Sequence, residues 1–260
     1  MTFTAERIEK MKLAVAVAAV LCAFMTAQAQ YTPPPRSAQA VQGVRWAQAQ
    51  AAGARFRNRF RECESGNTCD GQVLRYGCSR DPSRNTAILR FPDGTIFFDG
   101  KMGLDADGSP YSRRTPGRTD QPETSYRYSV PGSPSVDADK VPFIVIPLGG
   151  FAEELGVDVG DVAAVVYEGR VSYALVADKG PKCKIGEGSI QLHEQLGHNV
   201  CRARNAAGEC TNLRNVGIGS GVLYFVFPGS RITGLTPANA ARRISEEGER
   251  LFNALRAGTR

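Results

Sequence analysis

The chain has 260 residues, 42% hydrophobic and 22% charged, which is enough apolar material for a real core and excludes a disordered tail or a collagen-like fibre. Its 32 Lys plus Arg against 26 Asp plus Glu give a formal charge of +6, and aromatic residues make up only 8%, so a dedicated nucleic-acid binder is not favoured. At roughly 100 to 200 residues per domain, the length fits one large domain or two small ones.

Arg7, Lys10 and Lys12 precede an apolar run over residues 13–25, and Ala27, Gln28 and Ala29 follow it. These are the three parts of a cleavable secretory signal, so residues 1–29 read as a signal peptide cut after Ala29. The run has 13 residues, short of the ~20 that cross a bilayer as a helix, and no membrane association is expected after cleavage. Cleavage also discards Cys22 and leaves six cysteines: Cys63, Cys69, Cys78, Cys183, Cys201 and Cys210. An even count in an exported chain predicts up to three disulfides, with the pairing left open. No C-x-x-C knuckle is present, so no metal is expected at these cysteines. The expected location is secreted or periplasmic, and the expected state is a monomer.

Residues 30–61 read as a tether through Pro33, Pro34 and Pro35, followed by a basic helix over residues 38–60 with Trp46, Phe56 and Phe60 at helical spacing. Its arginines, Arg45, Arg55, Arg57, Arg59 and Arg61, are expected on a solvated face. Residues 62–260 read as a single domain. Residues 87–91, the turn Pro92-Asp93-Gly94 and residues 95–98 carry a hairpin signal. Residues 111–140 are polar and turn-rich, a surface excursion of the kind that shapes binding sites. Further strands are expected at 141–146, 162–167 and 171–177, with Glu168-Gly169-Arg170 as a tight turn between the last two. Residues 222–227 are apolar throughout, as in a strand buried on both faces. A short helix is expected over 189–196, stopped by Gly197. A longer one is expected over 237–255 with Thr236 as its N-cap. Many short strands and few helices predict a mainly β chain with flanking helices (α+β), built as a compact β-barrel.

The two histidines, His193 and His198, are five apart and cannot share the helix face of a zinc protease motif. There is no G-x-S-x-G elbow and no phosphate-binding G-x-x-x-x-G-K. Gly217, Gly219 and Gly221 precede a strand, where a loop is the plain reading, so no cofactor is expected. What remains is carboxylate chemistry. Asp105-Ala106-Asp107-Gly108 is a compact acidic turn without calcium-loop spacing, equally explained as a solvated Asp-Gly turn. Asp178 ends a strand, and Glu187 follows nine residues later at a loop-to-helix junction. Two carboxylates so placed can face one cleft and divide the acid and base roles of glycoside hydrolysis, which for inversion sit roughly 6.5 to 9.5 Å apart. The residues alone leave an alternative open: Glu187 could complement a helix N-terminus and Asp178 could cap its loop.

At this point the sequence resembles a known family. Residues 173–180 followed by Ile185-Gly186-Glu187-Gly188-Ser189-Ile190 are similar to the signature of the chitosanases of glycoside hydrolase family 75, in which a strand ending in Gly-Asp precedes Gly-Glu-Ala-Ser-Ile at the same separation. Asp105-Ala106-Asp107-Gly108 resembles that family's D-x-D-G turn, and Val141-Pro142-Phe143-Ile144-Val145 its proline-led strand. The resemblance spans residues 90–227 and reads as a bacterial member, with Ala177 and Gly188 standing where the family has Gly and Ala. It implies that residues 62–260 are a catalytic domain of the family-75 type. It further implies that Asp178 and Glu187 are the catalytic pair, as base and acid of an inverting mechanism, and that Asp105 and Asp107 bind substrate. The implied partner is chitosan or a related amino-sugar polymer. The strand, sharp loop and G-E-x-S helix also resemble double-psi barrels, which keeps open a cell-wall enzyme or binder acting on peptidoglycan. Lys179, Lys182 and Lys184 beside the acids run against a polyamine substrate.

Overall fold

The computed structural model describes residues 31–74, 78, 87–115, 121–214 and 217–260; the signal-peptide reading of residues 1–29 lies outside them. In chain order its elements are β1 (Gln50–Ala51), α1 (Ala54–Gly66), β2 (Thr68–Cys69), β3 (Gln72–Val73), β4 (Ile88–Arg90), β5 (Ile96–Asp105), α2 (Pro110–Arg114), β6 (Phe143–Pro147), α3 (Phe151–Leu155), β7 (Val162–Tyr167), β8 (Arg170–Gly180), β9 (Glu187–Ser189), α4 (Ile190–Gln195), β10 (Cys201–Arg204), β11 (Cys210–Leu213), β12 (Ile218–Phe227) and α5 (Ala240–Ala257). Six of these strands close into a barrel in the order β5-β12-β7-β8-β6-β9, with β9 returning to pair with β5. Two of its pairs, β6 with β8 and β5 with β9, are parallel, and the rest are antiparallel. The expected β-barrel with flanking helices is therefore the observed fold, and closure leaves the ring itself without an unpaired edge.

The alternation along β12 explains its unbroken apolar run. Val222, Tyr224 and Val226 join the interior cluster with Phe98, Ile144, Val165 and Val176. Phe225, between them, faces outward and packs on Trp46 at 5.8 Å and on Phe252 of α5 at 5.1 Å between ring centroids. A strand covered on both faces has no polar face to show. The β7–β8 hairpin turns through Glu168 and Gly169, both at positive φ (46° and 82°), the two-residue turn whose twist matches paired strands. On α5 the buried stripe is Ala240, Ile244, Gly248, Leu251, Phe252 and Leu255, one face at helical spacing. Gly248 allows the close approach, because a Cβ there would lie 2.6 Å from the Tyr173 Cβ.

Several local expectations are corrected. The helix expected over residues 38–60 begins only at Ala54 and continues to Gly66. Gly43 and Gly53 sit at positive φ, and Trp46 is drawn from a helical register into the outer core against Phe91 and Phe97. Tertiary burial of Trp46 and Val41 thus outweighs the local Ala and Gln propensity. In the tether, Pro35–Ser37 forms a 3-10 turn with Ser37 buried, and residues 32–260 make one compact unit. Helix α5 starts about one turn late, because Asn239 Oδ1 accepts from the Thr236 N–H and residues 237–239 form a turn instead. Ile218 to Gly221, expected in a loop, belong to β12, with a register shift before Val222.

Three disulfides are present: Cys63–Cys78, Cys69–Cys183 and Cys201–Cys210. The last one ties the β10–β11 hairpin. Cys63–Cys78 joins α1 to the segment after β3, and Cys69–Cys183 joins the β2–β3 hairpin to the loop after β8; the two pack with Leu74 in a small second core. No helix among the described residues is long and apolar enough to cross a membrane.

Candidate active site

The acidic residues singled out in the sequence meet at one end of the barrel. Asp178 stands near the end of β8, immediately after a register shift against β6: Ile144 pairs with Val176, and Val145 with Asp178, so Ala177 is the extra residue. Such a bulge re-aims the side chain that follows it. The freed Ala177 carbonyl accepts the Tyr126 N–H at 2.8 Å, which brings the excursion between α2 and β6 over the site. Asp178 is 6% exposed, and its Oδ1 accepts from the Ser125 N–H (3.0 Å), the Ser125 hydroxyl (2.5 Å) and the Lys179 N–H (2.8 Å).

Glu187 is not at a loop-to-helix junction as expected. It opens the three-residue strand β9, paired in parallel with Gly103 of β5. The surrounding motif has a steric logic. A Cβ on Gly186, at φ 81°, would fall 2.2 Å from the Lys101 carbonyl oxygen, and one on Gly188 would fall 2.9 Å from both Leu192 Cδ2 and Met102 Sδ. The second contact explains why Gly stands here in place of the family's Ala: Met102 and Leu192 fill that space. Ser189 is fully buried; its hydroxyl donates to the Val141 carbonyl and accepts from the Phe143 and Leu192 N–H groups, so it ties β6 to the start of α4. Glu187 Oε1 accepts from Lys184 Nζ at 2.6 Å, and Oε2 lies 3.0 Å from where a Gly180 Cβ would be.

The D-x-D-G turn closes the group. The Asp107 N–H donates to Asp105 Oδ1 (2.7 Å), and the Gln121 N–H donates to Asp107 Oδ1 (2.5 Å). A Cβ on Gly108 would meet the Val136 carbonyl at 1.9 Å, so only glycine lets the excursion pack so closely. One carboxylate oxygen from each of Asp105, Asp107 and Asp178 lies within 4.8 Å of the others. Three acids at this spacing repel one another unless they share protons or counter-charge. Burial, followed by the charges of Asp107, Glu187 and Asp178, holds the Asp105 carboxyl well above the usual carboxylate range. The other convergent set among the described residues, Cys69, Asp70 and Cys183, has both cysteines committed to a disulfide.

The lysines expected beside the acids separate. Lys182 pairs with Asp70 at 2.6 Å and Lys179 reaches toward Asp158 at 4.0 Å, so of the three only Lys184 pairs with a site acid. A further cation was missed: Lys101, 3% exposed on β5, forms a buried ion pair with Glu64 of α1. Burial and then Lys184 push the Lys101 ammonium below the usual lysine range, while Glu187 acts the other way. A lysine between apolar residues of a strand is itself a signal, since lysines are almost never fully buried unless paired. Ser125 and Gln121 carried no such signal. His193 is structural: fully buried, its Nδ1 lies 3.0 Å from the Ser189 carbonyl oxygen and its Nε2 3.3 Å from that of Met102.

A barrel that gathers four carboxyls beside a resident lysine suits polysaccharide hydrolysis, and the comparison with known families places the chain among the glycoside hydrolases. Residues 102–257, more than half of the chain, match the family described as fungal chitosanase of glycosyl hydrolase group 75. The chain belongs to glycoside hydrolase family 75. The match takes in α5, which lies beyond the 90–227 span of the resemblance read from the sequence, and begins after β4. No curated protein matches the chain.

Proposed function

We propose that this protein is an exported chitosanase that cleaves β-1,4 glucosamine linkages within the polymer, with inversion, using Asp178 as base and Glu187 as acid. The observation that carries the reading is the convergence of Asp105, Asp107 and Asp178, with Glu187 close enough to bear on the same Asp105 carboxyl. The cations nearby are matched by acids, Lys182 by Asp70 and Lys101 by Glu64, so an ammonium on the substrate would meet the acidic turn. That removes the objection the loop lysines raise against a polyamine, and it supports Asp105 and Asp107 as substrate-binding residues.

Asp178 suits the base. Three donors fix its Oδ1, and no described donor meets Oδ2, which is left to orient and deprotonate a water. Glu187 would protonate the departing glycosidic oxygen once substrate binding has drawn Lys184 away and the carboxylate has taken up a proton from solvent. Residues 62–260 are the catalytic domain in this reading. Residues 1–29 direct export as a signal peptide, and the mature protein is a secreted or periplasmic monomer. Three disulfides support an oxidising destination.

The deciding assay measures reducing ends released from chitosan, chitin, cellulose and peptidoglycan. Chitosan should be the substrate cleaved, and Asp178→Asn and Glu187→Gln should each lower turnover at least about 100-fold with near-native melting. Azide should rescue the Asp178 variant better than the Glu187 variant, and α-anomeric product should appear first. Release from peptidoglycan alone would move the substrate to the cell wall, and substantial activity in both variants would end the two-carboxylate mechanism.

A further inference from the structure

Residues 54–74, which hold α1 and the β2–β3 hairpin, lie outside the segment that matches the family, yet three of their links, through Cys69, Asp70 and Glu64, lead to the loop and the strand beside Glu187. Cys69 is bonded to Cys183, 114 residues away, inside the loop that connects β8 to β9. Beside it Asp70 accepts from Arg59 Nε (3.1 Å) and pairs with Lys182 (2.6 Å) of the same loop. Glu64 reaches past the small core to the buried Lys101 on β5. The loop's exit is pressed on that strand, where the Gly103 N–H donates to the Gly186 carbonyl at 2.7 Å. Between these fixed points stands Lys184, whose ammonium holds Glu187 Oε1 at 2.6 Å.

We propose that residues 54–74 are a positioning element for the catalytic centre: Cys69 and Asp70 anchor the loop that carries Lys184, Glu64 anchors Lys101 on the strand against which that loop is pressed, and Lys184 so placed holds the Glu187 carboxylate. A six-residue loop held only where it leaves β8 and enters β9 would sample several arrangements of Lys184; the disulfide narrows them before substrate arrives. The charged groups facing Glu187 are Lys184 from its own loop and Lys101 and Asp105 from β5. Of the other neighbours, β6 carries no titratable side chain; β8 offers Asp178, held by three donors, and Lys179, directed to Asp158; and α4 offers His193, engaged with two carbonyls, and Glu194, paired with Arg204. Loss of the anchor therefore loosens the Lys184 ammonium and removes its attraction from Glu187.

The link from Glu187 to turnover rests on its proposed catalytic role, and the two are tested apart. The titration of the Glu187 carboxyl carbon is followed by nuclear magnetic resonance in the native protein, in Cys69→Ser/Cys183→Ser, in the exposed-site variant Asp70→Asn and in Lys184→Met. A Cys201→Ser/Cys210→Ser protein is the control. The midpoint should rise in Lys184→Met and in the Cys69 and Cys183 variant, by less in Asp70→Asn, and stay put in the control. Chitosan turnover should fall about tenfold in the Cys69 and Cys183 variant with the Michaelis constant little changed, and the basic limb of its pH profile should move the same way. If the cysteine variant fails to fold, Asp70→Asn decides. Unchanged midpoints in the folded anchor variants overturn the positioning element. Full activity of Glu187→Gln overturns the catalytic reading alone, because the midpoints judge the anchor without it.

Discussion

Ser125 meets Asp178 twice, with its backbone N–H at 3.0 Å and its hydroxyl at 2.5 Å on the same carboxylate oxygen. A residue from a long polar excursion thus fixes the rotation of an acid at the end of a barrel strand. Without it the second oxygen would not present a constant face to a water. Ser125→Ala removes the side-chain bond and keeps the backbone one. Hydrogen bonds to charged groups contribute roughly 1.5–3 kcal/mol, so turnover should fall between about tenfold and 100-fold with a smaller change in the Michaelis constant. Steady-state kinetics on chitosan checks this, and native turnover in the variant would remove Ser125 from the site.

Asp105 bears on stability in the opposite sense to activity. Its folded carboxyl is held well above its ordinary value of 3.8, so the folded state binds its proton more tightly than the unfolded chain does. Its contribution is full below the unfolded value and is lost as pH rises through the folded one. Asp105→Asn cannot ionise and keeps an oxygen for the Asp107 N–H. At pH 7 it should be more stable than the native protein, with the advantage vanishing toward pH 4, while chitosan cleavage falls. Urea unfolding at the two pH values is the measurement. A variant less stable at pH 7 would show that the acid cluster is held by counter-charge rather than by a proton.

His193 sets a limit from the acid side. Burial, its largest influence, lowers its affinity for a proton, although the carbonyls of Ser189 and Met102 act against this. Neutral imidazole has one N–H for two carbonyls, and the shorter contact places it toward Ser189. For a base whose folded value is depressed, stability is present above the unfolded value of 6.5 and declines as pH falls below it. His193→Gln should be less stable at pH 7.5 but lose less between pH 6.5 and pH 5. Parallel stability curves for the two proteins would exclude His193 as the source of acid sensitivity.

Gly180 keeps room for the acid. Its backbone needs no special conformation, yet a Cβ there would lie 3.0 Å from Glu187 Oε2 and from Val145 Cγ1. Gly180→Ala should therefore displace the end of the Glu187 side chain, lowering turnover about tenfold or more while melting shifts by only a few degrees. Equal losses of stability and activity would point instead to strain at Val145.

Much of this was legible along the chain. The apolar run 222–227, the Glu168-Gly169 turn and the stripe on α5 each follow from a local period or a local backbone demand. An even cysteine count predicted the disulfides, and the nine-residue spacing of Asp178 and Glu187 singled out two carboxylates that lie at one end of the barrel. Local signals failed where distant residues competed for the same segment. Trp46 left its expected helix for the aromatic cluster of Phe91, Phe97 and Phe225, and Glu187 became the strand that closes the barrel because β5 supplied a partner.

Composition and spacing determined the class of fold, and the motifs around Asp105, Asp178 and Glu187 carried the resemblance to the family, because each is written in neighbouring residues. Only the tertiary structure decided which cysteines pair, that Ser125 and Gln121 hold the acids, and that Glu64 meets Lys101 across 37 residues of chain. Those contacts join segments whose separation leaves no periodic trace. Their energy depends on burial, which exists only once the barrel has closed.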